Sequence, residues 1–268
     1  MLYETIQLSI TNHIAHLTLC RPDANNALNL KMAQELLDAS IICTTDERVR
    51  CLLITGDGKM FCPGGDLKEM NEQGENKPAH LSKMAIHLHD ALVRMAHMNA
   101  PVVIAVNGTA AGAGFSMVLS GDYVIASDKA KFVSAYTASG LTPDGSSTYY
   151  LAKQVGLLRA KELIMTNRVL TAQEALEWGI VSQVVSPNDL MSKAEQIAAH
   201  FAKGPTQAFG GVKRMLLGAF SQPLEAQLDT ETRTIASMMH THDGPHGLAS
   251  FLEKKTCLLY TSPSPRDS

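Results

Sequence analysis

The chain has 268 residues, 45% of them hydrophobic, and a formal net charge of −3, which is enough apolar material for one large domain or two small ones. With no basic cluster or aromatic-interleaved stripe, the near-neutral balance argues against nucleic acid as a partner. No apolar run approaches the roughly 20 residues that span a bilayer, and Met1-Leu2-Tyr3-Glu4-Thr5 lacks the regions of a signal peptide, so a cytoplasmic protein with no membrane partner is expected.

Ile6–Ile10 and Ile14–Cys20 flank Asn12-His13 and read as an opening β-hairpin, ended by Arg21-Pro22. Residues Leu30, Ala33, Leu36, Leu37 and Ile41 give Leu28–Thr44 one apolar stripe at helical spacing, and Cys51–Thr55 is a buried strand. A Gly-rich loop follows over Gly56–Asp66. The polar, breaker-rich run Asn71–Pro78 predicts a mobile surface segment before a helix over His80–His97. Val102-Val-Ile-Ala-Val106 has no polar alternation, which predicts a strand covered on both faces and stopped by Asn107-Gly108.

A helix then starts near Gly112. Its first amides lack intrahelical partners, and the small residues from Ala110 to Gly114 leave that end bare, so a ligand oxygen could approach the backbone. The same composition also suits a helix packed tightly on a sheet. Further along come short strands at Tyr123–Ala126 and Lys131–Val133, a Gly/Pro loop at Gly140–Gly145 and a helix pair to about Thr166. A capping box at Thr171-Ala-Gln-Glu174 precedes Trp178 and the stop at Gly179, and Val181–Val185 is a last strand. From Leu190 the pattern is helical only, broken at Gly204-Pro205 and Gln222-Pro223. The expected organisation is an α/β core over residues 1–189, a helical region over 190–256 that contacts neighbouring subunits, and a disordered tail over 257–268, where the composition packs nothing.

The five cysteines (Cys20, Cys43, Cys51, Cys62, Cys257) are scattered and never form a C-x-x-C pair. They read as reduced, mostly core thiols, with no metal site.

Three stretches in order, Arg21-Pro-Asp-Ala-Asn-Asn-Ala-Leu28, Met60-Phe-Cys-Pro-Gly-Gly-Asp-Leu67 and Asn107-Gly-Thr-Ala-Ala-Gly-Ala-Gly114, resemble the enoyl-CoA hydratase/isomerase (crotonase) superfamily. Gly140-Leu-Thr-Pro-Asp-Gly145 and Leu163–Gly179 extend the resemblance over about residues 1–256. It implies a ClpP/crotonase fold, a spiral of β-β-α units, assembled as trimers or hexamers. It also implies an acyl-CoA substrate, with coenzyme A as part of that substrate and no separate cofactor. By position, the backbone N–H groups of Gly65 and Ala113 match the family's oxyanion donors. Their side chains matter only by being small, with Gly64 and Gly112 beside them. Arg21 and Ala24 match positions bordering adenine and ribose. Lys68 matches a position that approaches the phosphates, Leu67 and Tyr136 are further substrate-binding positions, Asp66 orients the loop, and Phe251 with Lys254 matches a terminal helix that covers coenzyme A. Met70, Met84 and Met117 are candidates for an acyl pocket.

The positions matching the family's two hydratase glutamates are Ser116 and Tyr136. Neither is a carboxylate base, which disfavours simple hydration. The remaining acid is Asp144 in Thr-Pro-Asp-Gly. That composition is ordinary for a turn, but isomerase-like members, including those similar to the ring-epoxide isomerase of phenylacetate breakdown, carry a proton-shuttling aspartate there. Double-bond migration with Asp144 as acid/base is therefore the expected reaction. Alternatives are 2-enoyl-CoA hydration, a 4-chlorobenzoyl-CoA dehalogenase-like reaction with Asp144 as nucleophile and His89 assisting, and a non-catalytic scaffold. The Clp-protease reading fails because Gly112 stands where its serine nucleophile would be.

Overall fold

The β-branched run Val102–Val106 lies at the centre of the molecule, and each of its residues is buried. Val102, Ile104 and Val106 face one apolar cluster, while Val103 and Ala105 face another. This double burial explains why the strand carries no polar alternation. The structure is a computed structural model that describes residues 3–253. The terminal calls, the tail over 257–268 and Lys254 among them, lie outside the described residues, as does Cys257.

In chain order the elements are strand β1 (Ile6–Thr11), β2 (Ile14–Leu19), helix α1 (Leu30–Thr45), β3 (Cys51–Gly56), α2 (Leu67–Glu72), α3 (Lys77–His97), β4 (Val102–Val106), β5 (Ala110–Ala111) and α4 (Ala113–Leu119). They continue with β6 (Tyr123–Ser127), β7 (Lys131–Val133), α5 (Ser147–Val155), α6 (Leu157–Thr166), β8 (Leu170–Thr171), α7 (Ala172–Glu177) and β9 (Gln183–Val185). Four helices follow, α8 (Leu190–Ala202), α9 (Thr206–Gly218), α10 (Leu224–Met238) and α11 (Asp243–Leu252).

The main sheet has the order β1-β2-β3-β4-β6-β9. Its first pair is antiparallel, and the remaining neighbours are parallel. Asn12 and His13 close the opening hairpin with φ of 50° and 65°, the two positive-φ positions that a tight two-residue turn demands. A small second sheet, β5-β7-β8, stands beside it. Two residues apiece give β5 and β8 no periodicity to read, so the sequence does not reveal them. Thr171 and Glu174 form the expected capping box at the start of α7.

Two expectations need correcting. The run Asn71–Pro78 is regular: α2 continues to Glu72, a 3-10 turn spans Gly74–Asn76, and α3 starts at Lys77. Pro78 falls in the first turn of α3, where its missing N–H has no helical partner to lose. The last strand is shorter than Val181–Val185, because Ile180 and Val181 are committed to the core and pairing begins at Gln183.

Helix α8 buries Leu190, Ala194, Ala198 and Ala202 against Cys51, Leu53, Val103, Ala105 and Ile125. The first helix after residue 190 thus covers one face of the sheet, and α9 to α11 extend beyond it. Cys43, Cys51 and Cys62 are buried free thiols, and Cys20 is half-buried. Among the described residues, no helix is long and apolar enough to cross a membrane, and no group of acidic, His or Cys side chains is arranged to hold a metal ion.

Candidate active site

Two corners of the backbone build the site. The first is the loop before α2. Asn26 is fully buried and donates from its side-chain amide to the carbonyls of Asp57 (2.8 Å) and Met60 (2.9 Å), which pins that loop to the first motif. Asp66 caps α2 by accepting from the Glu69 amide at 3.1 Å, and pairs with Arg21 at 3.0 Å. Burial opposes the ionisation of Asp66, but the Glu69 amide and the Arg21 guanidinium outweigh it and hold the carboxyl below the usual range. Glu69 accepts from the Leu30 amide (3.1 Å) and contacts His80 (2.9 Å), tying α2 to α1 and α3.

The second corner is the start of α4. Gly64 has φ 108° and Gly112 has φ 49°, conformations that strain any side chain. The two touch: a methyl on Gly64 would stand 3.2 Å from the Ala111 carbonyl oxygen and 3.6 Å from the Ala113 nitrogen. Glycine at both positions therefore lets the loop before α2 pack directly on the backbone at the start of α4. The neighbouring amides are spoken for: Asp66 donates to the Leu28 carbonyl (2.7 Å), Ala111 to Cys62 (2.9 Å) and Gly112 to Val133 (3.2 Å). Among the described residues, the Gly65 and Ala113 N–H groups have no such acceptor.

Gly65 and Ala113 border a cavity of about 110 Å³ that Tyr136 and Asp144 also line. Leu81, Met84, Ala85 and Leu88 of α3 supply an apolar wall, with Met70 from α2. Gly65 runs beside the two methionine ends, since a methyl there would meet Met84 Cε at 3.5 Å and Met70 Cε at 3.6 Å. Asp144 is the one carboxylate among the described residues lining this cavity.

Tyr136 donates its hydroxyl hydrogen to Asp144 Oδ1 at 2.6 Å. Burial, then the adjacent carboxylate, push the Tyr136 phenol well above its ordinary range, so it stays a neutral donor. Ser116 is fully buried, with its Oγ 2.9 Å from both the Tyr136 hydroxyl and the Asp144 carbonyl. Its one hydrogen is thereby confined to local partners. Gly145 and Ser146 follow Asp144 with φ of 58° and 66°. A methyl on Gly145 would come within 2.9 Å of Ser116 Cβ, so the turn that aims the acid requires glycine. His89 accepts the Gly145 N–H at Nε2 (3.0 Å) and stands 3.6 Å from Asp144 Oδ2.

The cavity thus brings together Gly64, Gly65, Leu67, Gly112, Ala113, Tyr136 and Asp144. Arg21, Ala24, Asp66 and Lys68 lie outside its lining. Arg21 spends its guanidinium on Asp66 and the Ala27 carbonyl, and Lys68 is exposed on the first turn of α2. Phe251 is 81% exposed at the end of α11. Met70 and Met84 line the cavity, whereas Met117 sits in the core against Leu36 and Ile54. Sequence reasoning missed Leu81, Ala85 and Leu88, although with Met84 they follow the i, i+3, i+4, i+7 spacing of one helix face.

The parallel-sheet α/β body thus sets two backbone corners, each built on a positive-φ glycine, beside one cavity that a carboxylate also lines. The enoyl-CoA hydratase/isomerase family model matches residues 9–259, and the chain belongs to that family, the crotonase superfamily. The chain is 36% identical to a 1,2-epoxyphenylacetyl-CoA isomerase of Escherichia coli (strain K12), covering 94% of this chain and 97% of the relative. It is 34% identical to a 4-chlorobenzoyl coenzyme A dehalogenase of Arthrobacter, covering 93% and 91%. A solved enoyl-CoA hydratase from Polaromonas sp. JS666 superposes with a TM-score of 0.89 at 31% identity, covering 94% of this chain and 98% of that one.

Proposed function

We propose that this protein is an enoyl-CoA isomerase, moving a double bond within an acyl-CoA thioester. One observation carries the reading: a single carboxylate, held at one oxygen by Tyr136, faces the cavity that the Gly65 and Ala113 amides border. The two amides would bind the thioester oxygen as charge develops on it, and donors fixed by the fold need not reorganise as they do so. Asp144, free at Oδ2, would take a proton from one carbon and leave a dienolate, then return the proton to the carbon two positions away. One acid suffices because each proton it removes is given back.

Hydration needs a second group to activate water, and Ser116 and Tyr136 stand at the matching positions with their hydrogens committed. A dehalogenase-like reaction, with Asp144 Oδ2 attacking an aryl carbon, is the second reading, favoured by His89 at 3.6 Å from that oxygen. The bound coenzyme A, the trimer or hexamer and a cytoplasmic location are part of the proposal and rest on family resemblance. Separate incubation with 3-enoyl-, 2-enoyl- and 4-chlorobenzoyl-CoA tests it. Conversion of the 3-enoyl thioester to the 2-enoyl isomer is expected, and formation of only a 3-hydroxyacyl product from the 2-enoyl thioester would overturn it.

A further inference from the structure

His89 occupies a partition. On one side its Nε2 meets the Asp144 turn, and on the other its ring borders a second cavity of about 390 Å³ walled by Leu92, Val93, Ala96, Tyr149, Tyr150 and Leu217. The side chain is 44% exposed, against 30% for Asp144. The Gly145 N–H points at Nε2 from 3.0 Å, so that nitrogen presents its lone pair to the turn. The same lone pair lies 3.6 Å from Asp144 Oδ2, the oxygen that Tyr136 leaves free. When Asp144 holds a proton on Oδ2, the nearest basic nitrogen is therefore His89 Nε2. The other titratable groups facing that second cavity are Tyr149 and Tyr150 from α5 and His97 from the imidazole's own helix.

We infer that His89 is a positioning residue that also exchanges the proton of Asp144 with solvent through this second cavity, by a route separate from the substrate mouth. The step balances: the Gly145 N–H gives up the Nε2 lone pair, Oδ2–H passes its proton to that lone pair, the imidazolium loses a proton from Nδ1 to water, and the reverse sequence returns a solvent proton to Oδ2 and restores the Gly145 hydrogen bond. Asp144 would then share its proton with the medium between abstraction and return, so part of the product's new C–H bond comes from water. This inference rests on the isomerase reading.

The test is isomerisation of a 3-enoyl-CoA in D2O, with deuterium in the 2-enoyl product measured by mass spectrometry at low conversion. Wild type is expected to incorporate solvent deuterium. His89→Gln keeps an acceptor for the Gly145 amide but no basic nitrogen, so its product should carry severalfold less deuterium per turnover, a ratio read independently of any fall in kcat. Should that variant fail to fold, Val93→Trp, which fills the second cavity from the exposed face of α3, is expected to lower incorporation in the same way. Equal deuterium content in wild type and variant, or none in wild type, would overturn the inference while leaving isomerisation intact. Absence of any product would instead remove the isomerase reading, and the inference with it.

Discussion

Tyr136 donates to Asp144 Oδ1 across 2.6 Å, and this one bond divides the carboxylate into a held oxygen and a working one. The phenol is polarised towards the acid, backed by Ser116 Oγ at 2.9 Å, and kept neutral by burial. The two hydroxyls that stand in for carboxylates therefore aim a third carboxylate.

Removing that donor should slow the reaction without dismantling the site. Tyr136→Phe is expected to lower kcat by about 10–100-fold, the rate equivalent of one hydrogen bond to a charged group. The phenol's folded-state pKa is raised above its unfolded value, so its contribution to stability is complete below about pH 10 and fades as pH rises beyond it. Melting temperatures between pH 8 and 11 should fall more steeply for wild type than for Tyr136→Phe. Parallel curves would show that the phenol is not held in the folded state.

Gly65 and Gly114 should respond differently to a single added methyl. At Gly65 it meets only two flexible methionine ends, at 3.5 and 3.6 Å, and Gly65→Ala should fold within about 1 kcal/mol of wild type. At Gly114 it would fall 2.2 Å from the Cys62 carbonyl oxygen, which forces the Cys62–Gly65 loop off α4. Gly114→Ala should cost about 1–3 kcal/mol in urea denaturation and, by parting the two amides, about 10²–10³ in rate.

Lys213 reaches in from α9, its side chain 9% exposed, to Asp122 (2.6 Å) and the carbonyls of Met95 (2.9 Å) and Ala100 (3.1 Å). Burial lowers its pKa although Asp122 works against that. Lys213→Met leaves an acid and two carbonyls without their cation and should cost about 3–5 kcal/mol, with part of the loss recovered in Lys213→Met/Asp122→Asn. Chemical denaturation of the cycle measures it, and additive losses would contradict the pairing.

Glu35 sets the acid side of stability. Burial alone would raise its pKa, but the Thr5 hydroxyl and the Glu4 and Thr5 amides accepted at 2.5–2.9 Å outweigh burial and lower it. A depressed carboxyl stabilises above its unfolded pKa and loses that contribution as pH falls through the folded one. Glu35→Gln should be less stable than wild type by about 1.5–3 kcal/mol at pH 7, with the gap closing towards pH 3. A gap that does not change with pH would exclude the ionised form as the source.

Much of this was legible beforehand because single residues carried strong constraints. Five unbroken, mostly β-branched apolar residues stopped by Asn-Gly read as a strand buried on both faces, as Val102–Val106 is, and the Gly-Gly and Gly-Ala-Gly runs mark where backbone approaches backbone. What escaped depends on partners distant in sequence. Nothing in Arg21 announces Asp66, 45 residues on. Strands of two residues leave no pattern, and Pro78 reads as a breaker until its place in a first helical turn is known. His89 was marked by family position alone, and its hold on the Asp144 turn shows only in the Gly145 amide that donates to it, 56 residues on.

The most direct test of the account is Asp144→Asn, assayed with 3-enoyl-CoA under saturating conditions alongside a circular-dichroism melt. Asparagine keeps the size of the side chain and a carbonyl for Tyr136, but it cannot take up a proton. The account predicts an unchanged fold and a fall in kcat of about 10²–10⁴. Isomerisation at the wild-type rate by a folded Asp144→Asn enzyme would contradict it.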